Sequence, residues 1–430
     1  MTASIATNQT ILVVGGGISG MTAALEAAEC GKQVILVEKS PVLGGRTARL
    51  YRYFPKMCHP TCGLEINLRR IKQNRNIRLM TMTQVTEVTG SRGNYSVTLT
   101  VAPRFVNEHC TACGKCAEAV SAEVPNPWNY GLDKIKAAYL PHNMAHPQRY
   151  VIDPSIIGTA EAEKAKAACP VGAVDLEMKE ETMTLPVGAV IYATGWRPYD
   201  AAKIQPYGYG RFKNVITSLE FERLADPHGP TGGKILRPSD GKEAKNVAFI
   251  QCAGSRDENH LRHCSRICCM ASLKQTQYVR EAWGDAGKST VYYIDIRAID
   301  RLEDFNARVH ADPMVTFVKS KVARIALEEA SGNPVLHGVD TEGYHRYANA
   351  HDLVVLAVGM QPETEGLQLP EEIVRDSSGF LEGSTSGGQV AAGAAAAPLD
   401  VNRAVQSATA AALLGIQVIH RNTRAEAKHG

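Results

Sequence analysis

Residues 11–38, ILVVGGGISGMTAALEAAECGKQVILVE, set the fold class of this chain. Ile11–Val14 is a short apolar run that leads straight into Gly15, Gly17 and Gly20, after which the Ala-rich stretch Met21–Cys30 ends at Gly31. That is the order strand, tight turn, helix and helix stop. The glycines let the backbone approach a pyrophosphate, which the positive end of the helix attracts. Val34–Val37 reads as the next strand and ends at Glu38, whose carboxylate suits ribose hydroxyls and disfavours a 2′-phosphate. Glycine turns also serve plain packing, but strand, helix and acid together point to a bound dinucleotide.

At 430 residues the chain is about three ordinary domains long, so several modules are expected. With 44% hydrophobic and 21% charged residues it falls outside the disordered, collagenous and coiled-coil classes. The 47 Lys and Arg against 44 Asp and Glu leave a net charge of +3, too balanced to suggest nucleic acid or an anionic membrane as partner. Met1–Thr10 is polar and shows no secretory pattern, and the longest apolar candidate, Ala404–Ile419, is broken by Gln406, Ser407, Thr409 and Gln417. A cytoplasmic protein that reaches a membrane only through a partner is expected. Eleven cysteines without an export signal suggest metal binding or redox chemistry rather than disulfides.

Cysteine spacing sharpens this. Cys110, Cys113 and Cys116 follow the C-x2-C-x2-C run of bacterial ferredoxins, and Cys169-Pro170 supplies the Cys-Pro of the partner motif. In two-cluster ferredoxins the fourth Cys of each motif serves the other cluster. The remaining ligand positions fall at Val120, Thr159, Ala162 and Ala165, and all four losses remove the same cluster. Cys110, Cys113, Cys116 and Cys169 are left as one complete set for a 4Fe-4S cluster, with Ile156, Val171 and Val174 expected around it. Zinc and idle thiols are the rival readings. Farther on, the buried-type strand Val247–Ile250 opens into Gln251–Asp257, where only Gly254 remains of a second glycine fingerprint, so a nicotinamide is not expected there. Cys252, Cys264, Cys268 and Cys269 follow no familiar metal spacing, and a thiolate cluster site and structural or redox thiols both fit them.

Four further segments carry a resemblance. Gly44-Gly45-Arg46, the strand ending Ala193-Thr194-Gly195, the similar ending at Gly359 and the late stretch Gly393–Ala411 resemble the two-dinucleotide-binding flavoproteins of thioredoxin reductase type. The resemblance implies FAD, held by Gly15, Gly17, Gly20, Glu38, Lys39, Gly44, Gly45, Arg46, Ala193, Thr194, Gly195, Gly359, Gly393, Asp400 and Val401. Asp400 and Asn402 suit ordinary helix capping as well. More specifically, QCAGSRDE at 251–258 and HCSRICCM at 263–270, with GAAAAPLD at 393–400, resemble the heterodisulfide reductase A-subunits and their relatives over nearly the whole chain. In that family such a Cys set binds a 4Fe-4S cluster, which implies Cys252, Cys264, Cys268 and Cys269 as ligands. The additional ferredoxin modules of the methanogen proteins are not expected here. Within the family its size and single inserted cluster are most similar to the A-subunits of quinone-interacting membrane-bound oxidoreductase (Qmo) complexes.

The fold class expected is therefore α/β, a two-dinucleotide-binding flavoprotein with a ferredoxin-like α+β insertion. The boundaries read as an FAD-binding first segment 8–105, the insertion 106–180, a second FAD-binding segment 181–243, a degenerate nucleotide-type domain with the Cys cluster 244–350, and a final FAD-binding segment 351–425. The resemblance implies an electron-transfer subunit with FAD and two 4Fe-4S clusters, peripheral on the inner face of the cytoplasmic membrane. Its partners would be adenylylsulfate reductase, a haem-bearing membrane subunit, and a second flavin and iron-sulfur subunit. The competing readings are a stand-alone NAD(P)H-dependent flavoprotein disulfide reductase and a non-catalytic scaffold. No hydrolase, kinase or metalloprotease signature is present. Cys58 and Cys62, in FPKMCHPTCGLE at 54–65, are read either as a thiol pair exchanging electrons with FAD or as loop thiols, and Cys30 as a packing residue. Asn126–Ala145 reads as a long irregular loop that clasps the insertion or meets a partner.

Overall fold

Thr10–Val14 (β1) is buried at every position, and its side chains divide between two cores: Ile11 and Val13 face one, Leu12 and Val14 the other. A strand covered on both faces needs an unbroken apolar run, which is what this segment supplies. In this computed structural model, which describes residues 6–364, 367–369, 373–383 and 387–429, β1 is the centre of a five-stranded parallel sheet. The helix Ile18–Glu29 (α1) leads to Gln33–Glu38 (β2), and the order across the sheet is Gln389–Ala391, Ala189–Tyr192, β1, β2 and Ile77–Thr81 (β3). One face packs on α1 and on the last helix, Val401–His429, through small side chains such as Ala24, Ala28, Ala408 and Ala412. The other face packs on a three-stranded antiparallel sheet of Thr83–Ser91, Asn94–Val101 and Glu181–Val187.

The ferredoxin-like insertion leaves this small sheet after Asn94–Val101 and rejoins it at Glu181–Val187. It holds two short helices, Lys115–Ala119 and Ala160–Ala167, and two small antiparallel pairs, and it has a core of its own running from Phe105 to Val174. The stretch Asn126–Ala145 holds the short strands Lys134–Lys136 and Ala138–Tyr139, and part of it packs outside the insertion: Trp128 and Ala145 pack on Val42, the His142 ring stacks on Trp128 at 4.1 Å, and Leu43 donates its N–H to His146 O at 2.9 Å. This stretch therefore clasps the segment that leads into Gly44.

The chain forms two compact units, one of Met1–Ala48, Thr61–Trp196 and Pro362–Gly430, the other of Arg49–Pro60 and Arg197–Gln361. These boundaries differ from those read in the sequence, which gave 181–243 and 351–425 entirely to FAD-binding segments. Val215–Thr217 and Leu353–Val358 belong instead to the second unit's parallel sheet, in the order Val215–Thr217, Leu353–Val358, Asn246–Ala253, Lys288–Tyr293, Val315–Lys319. A fully buried apolar strand has the same pattern in either sheet, so its residues alone do not say which one it joins. A three-stranded antiparallel sheet, Arg324–Leu327, Pro334–Asp340 and His345–Ala350, completes the unit. The segment Arg49–Pro60 is fixed to this unit by buried polar groups: Lys274 donates to Arg52 O at 2.7 Å and pairs with Glu222 at 2.8 Å, while Glu222 accepts the Tyr51 N–H at 3.0 Å.

Two tests of stability follow from these packings. A Cβ on Gly20 would lie 1.7 Å from Gly15 O, so Gly20→Ala should cost about 1–3 kcal/mol in urea unfolding. Gly63→Ala, in the helix Thr61–Gln73 (α2) where a Cβ meets nothing within 4 Å, should instead be neutral or stabilise by up to about 1 kcal/mol. The second test is His351, whose ring is held between Tyr292 Oη at 3.0 Å and Asn246 Oδ1 at 2.9 Å and whose pKa is pushed by burial down to about 4. The unfolded ring takes its proton near pH 6.5, so the folded state is fully stable above that pH. It loses up to about 3 kcal/mol as the pH falls to 4. Denaturant titrations across that range should show a flatter acid limb in His351→Gln.

Candidate cofactor sites

The glycine turn of the first unit is a place where backbone meets backbone. A Cβ on Gly15, whose φ is +107°, would strike Ala193 O at 2.4 Å, and Gly17 bridges to Gly44 while the space for a Cβ on Gly45 is taken by Gly17 at 2.9 Å. The structure thus brings Gly15, Gly17, Gly20, Gly44, Gly45 and Ala193 together. Glu38, at the end of β2, accepts the Gly16 N–H at 2.6 Å on Oε2 and both the N–H and the hydroxyl of Ser40, at 2.7 and 2.5 Å, on Oε1, which leaves a lone pair on Oε2 to accept from a ribose hydroxyl. Thr194 Oγ1 is buried with no protein partner beside Gly15. An acid, bare backbone at a helix N-terminus and an orphaned hydroxyl are what a dinucleotide uses, so the residues fit FAD.

The outer predicted residues divide. Gly393 fits at this end of α1, since a Cβ there would lie 2.0 Å from Ser19 Oγ. Lys39 and Arg46 are both paired with Glu363, at 3.1 and 3.7 Å, and Arg46 also donates to Trp196 O and lies 5.4 Å from the Trp196 ring centre. The Glu363 N–H in turn bonds to Gly195 O at 3.0 Å. Glu363 and Trp196 carry no local motif and were invisible in the sequence. Asp400 caps the last helix, its Oδ1 accepting the Arg403 N–H at 3.0 Å, and Val401 begins that helix. Gly359 is not part of this group. It lies in the second unit, where a Cβ would meet Ser255, Leu261 and Ser265 at 2.2 to 3.2 Å, so its glycine serves packing beneath the Cys-bearing loop.

In the insertion, Cys110, Cys113, Cys116 and Cys169 line one cavity with Val106, Tyr150, Val171 and Val174, while Ile156 lies in the core behind it. Burial pushes Cys116 up to about 11. Burial acts the same way on Cys169, but the N–H groups of Val171, Ala173, Val174 and Gly172 outweigh it and hold the thiol below its ordinary value. That turn is a nest for sulfur anion, and the Ala173 N–H reaches Cys169 Sγ at 3.1 Å. The Ala112 N–H similarly reaches Cys110 Sγ at 3.4 Å. Where a second cluster would need ligands, Val120, Ala162 and Ala165 are 1%, 0% and 0% exposed in the module's core, and Thr159 turns its hydroxyl to Ile156 O at 2.6 Å. Among the described residues, no three His, Cys, Asp or Glu side chains converge as the ligands of a single metal ion do; the four thiols stand around a cavity.

The second thiol set forms at one strand–loop–helix passage. Asn246–Ala253 ends in a bulge at which Cys252 takes a left-handed φ of 55°, and the helix Cys268–Trp283 starts with the two adjacent cysteines. All four thiols lie within electrostatic reach of one another. Burial, followed by Cys252, Cys269 and Cys264, raises Cys268 far above its ordinary value; burial also pushes Cys269 up to about 11 and raises Cys252, which Arg256 opposes. The Arg266 N–H lies 3.4 Å from Cys264 Sγ, and Arg256 is held by Asp295 at 2.6 Å. Four adjoining thiols in a low-dielectric pocket, with backbone donors around them, suit a cationic cluster that takes them as thiolates. His260 and His263 bond to Tyr199 Oη and Met360 O at 2.8 Å each. Cys58 and Cys62 are exposed and fall in different units, and Cys30 is exposed at the C-cap of α1 rather than packed.

Similarities to other proteins agree with this geometry. A family model described as FAD dependent oxidoreductase matches residues 10–197. The chain is 40% identical over 360 residues to the ferredoxin:CoB-CoM heterodisulfide reductase A-subunit of Methanosarcina mazei, covering 83% of this chain and 45% of that protein. It is 37% identical over 415 residues to a CoB–CoM heterodisulfide reductase iron-sulfur A-subunit of Methanopyrus kandleri, the second of two such proteins, covering 93% and 63%. The chain thus spans about half to two thirds the length of these relatives. Among solved structures, the thioredoxin reductase of T. acidophilum has the same fold, with a TM-score of 0.53 at 14% identity over 95% of this chain and 98% of that one.

The filled core at Val120, Ala162 and Ala165 gives a direct test. Because that space is closed, replacing Val120, Thr159, Ala162 and Ala165 together by Cys should overpack the core and destabilise the module by about 1–3 kcal/mol in urea unfolding, with anaerobic iron not rising; a gain of about four irons per chain would show that the space can reopen.

Proposed function

Because the chain belongs to the heterodisulfide reductase A-subunit-like family of FAD-dependent oxidoreductases, we propose that it is an electron-transfer subunit holding FAD and two 4Fe-4S clusters. It relays electrons between quinone-linked partners in a Qmo-type membrane-associated complex and adenylylsulfate reductase. The observation that carries this reading is the repetition of a four-thiol set, one in each unit, in a chain that also holds a complete dinucleotide cradle. When bound, FAD exchanges electrons in pairs or singly and each cluster exchanges one at a time, which connects two-electron and one-electron carriers. No described helix is long and apolar enough to cross a membrane, so the membrane contact of this reading is made by partner subunits.

The residues supply binding and orientation. Gly15, Gly17 and Gly20 let the pyrophosphate reach the N-terminus of α1, Glu38 takes the ribose hydroxyls, and Thr194 offers its unpaired hydroxyl. Cys110, Cys113, Cys116 and Cys169 hold one cluster, and the N–H groups of the Cys169 turn support its sulfur charge. Cys252, Cys264, Cys268 and Cys269 hold the other, in the turn where a glycine fingerprint would otherwise seat a nicotinamide nucleotide.

Anaerobically purified protein should contain one FAD and about eight irons per chain. Cys116→Ala and Cys268→Ala should each remove about four and leave the other set's spin-resonance signal intact. NADH or NADPH alone should fail to bleach the flavin; rapid bleaching with no iron bound would favour a stand-alone reductase instead.

A further inference from the structure

Two deeply buried polar side chains in the second unit have no partner in the protein. Gln251 is 5% exposed, and both its amide nitrogen and its carbonyl oxygen lack a hydrogen bond; Ser272 is 0% exposed, with its hydroxyl in the same condition. A buried amide or hydroxyl left unsatisfied is costly and rare. The fold places these two on either side of one spot. Gln251 follows Phe249 by two positions on the strand Asn246–Ala253, and Phe249 packs edge-on against Phe221, which stacks on Tyr278 of the helix Cys268–Trp283. Gln251 lies in the bulge at the strand's C-terminal end, directly before Cys252, where the chain runs into the Cys-bearing loop. What lies there is the first turn of the helix, because the Cys252 thiol that ends the strand is within electrostatic reach of Cys268 and Cys269. Ser272 follows Cys268 by one turn on the same helix face. That face looks at the sheet, since Cys268 Sγ lies 3.7 Å from Val358 O.

We propose that Gln251 and Ser272 are positioning residues that donate hydrogen bonds to the sulfurs of the cluster held by Cys252, Cys264, Cys268 and Cys269, and that they raise its reduction potential. The proposal rests on the reading of those four thiols as cluster ligands. A reduced cluster carries one more negative charge than an oxidised one, so a fixed N–H or O–H donor stabilises the reduced form more. The Cys110 set has backbone donors at its sulfurs, and its cavity is lined by no amide or hydroxyl side chain other than Thr111 and Tyr150. Its potential therefore serves as an internal reference.

The experiment is a spin-resonance-monitored redox titration of the full chain and of Gln251→Leu and Ser272→Ala, with iron measured in each anaerobic sample. Iron content should stay at the wild-type level. The midpoint of the signal lost in Cys268→Ala should move to lower potential in both variants, and the signal lost in Cys116→Ala should not move. A midpoint that stays in place with iron retained overturns the assignment for that residue. Loss of iron from Gln251→Leu together with an unmoved midpoint in Ser272→Ala overturns it for both. Wild-type protein without iron at this set would sink the cluster reading first, which separates the two failures.

Discussion

A thiolate buried among aliphatic side chains must be matched by positive charge, and both thiol sets in this chain are arranged around that requirement. Burial raises Cys116, Cys252, Cys268 and Cys269, so in the protein alone these sulfurs stay protonated and behave as small hydrophobes. Partial charges from the backbone offset part of the cost. They do so most fully at Cys169, where four successive N–H groups overcome desolvation, and less at Cys110 and Cys264, each with one. The rest has to come from a cation that converts all four thiols at once. An iron-sulfur core would meet that demand, and its binding free energy would become part of the stability of the loops that carry the thiols.

The two units use one architecture for different ends. Each has a five-stranded parallel sheet with a three-stranded antiparallel sheet as companion, and in each a central buried strand runs into a turn at the N-terminus of a helix. In the first unit the turn is Gly15–Gly20, where side chains are excluded because backbone atoms already touch. In the second the equivalent turn is lengthened to carry Cys252 and Cys264 before the helix opens with Cys268 and Cys269. The helix N-terminus favours negative charge in both, phosphate in one and thiolate in the other. A single electrostatic feature of the fold would thus serve both ligands.

What could be read in the sequence was whatever is encoded locally. The glycine turn, the acid ending β2, the C-x2-C-x2-C run and the erased ligand positions are all fixed by spacing within a few tens of residues. Contacts between distant segments were not legible: Glu363 joining Lys39 and Arg46, or Gly359 fitting beneath Ser255 and Ser265. Leu353–Val358 was assigned to the wrong sheet because a doubly covered strand is simply apolar, and its neighbours, Val215–Thr217 and Asn246–Ala253, both precede it by long stretches of chain. The unpaired Gln251 amide was likewise hidden, since polarity is visible in a sequence and burial is not.

On the proposed reading, the insertion has lost one cofactor site without breaking its module. A lost cluster leaves both unligated thiols and empty volume, and cavities cost roughly 24 cal/mol for each cubic ångström left unfilled. Here the ligand positions have become Val120, Ala162 and Ala165, buried among Val106, Ile152 and Ile156, so the space is closed by side chains. The surviving set lies nearer the surface: Cys113 is exposed and Val171 is 44% exposed at the mouth of the cavity. A cluster held there would still exchange electrons, because tunnelling requires only a short approach to an exposed edge.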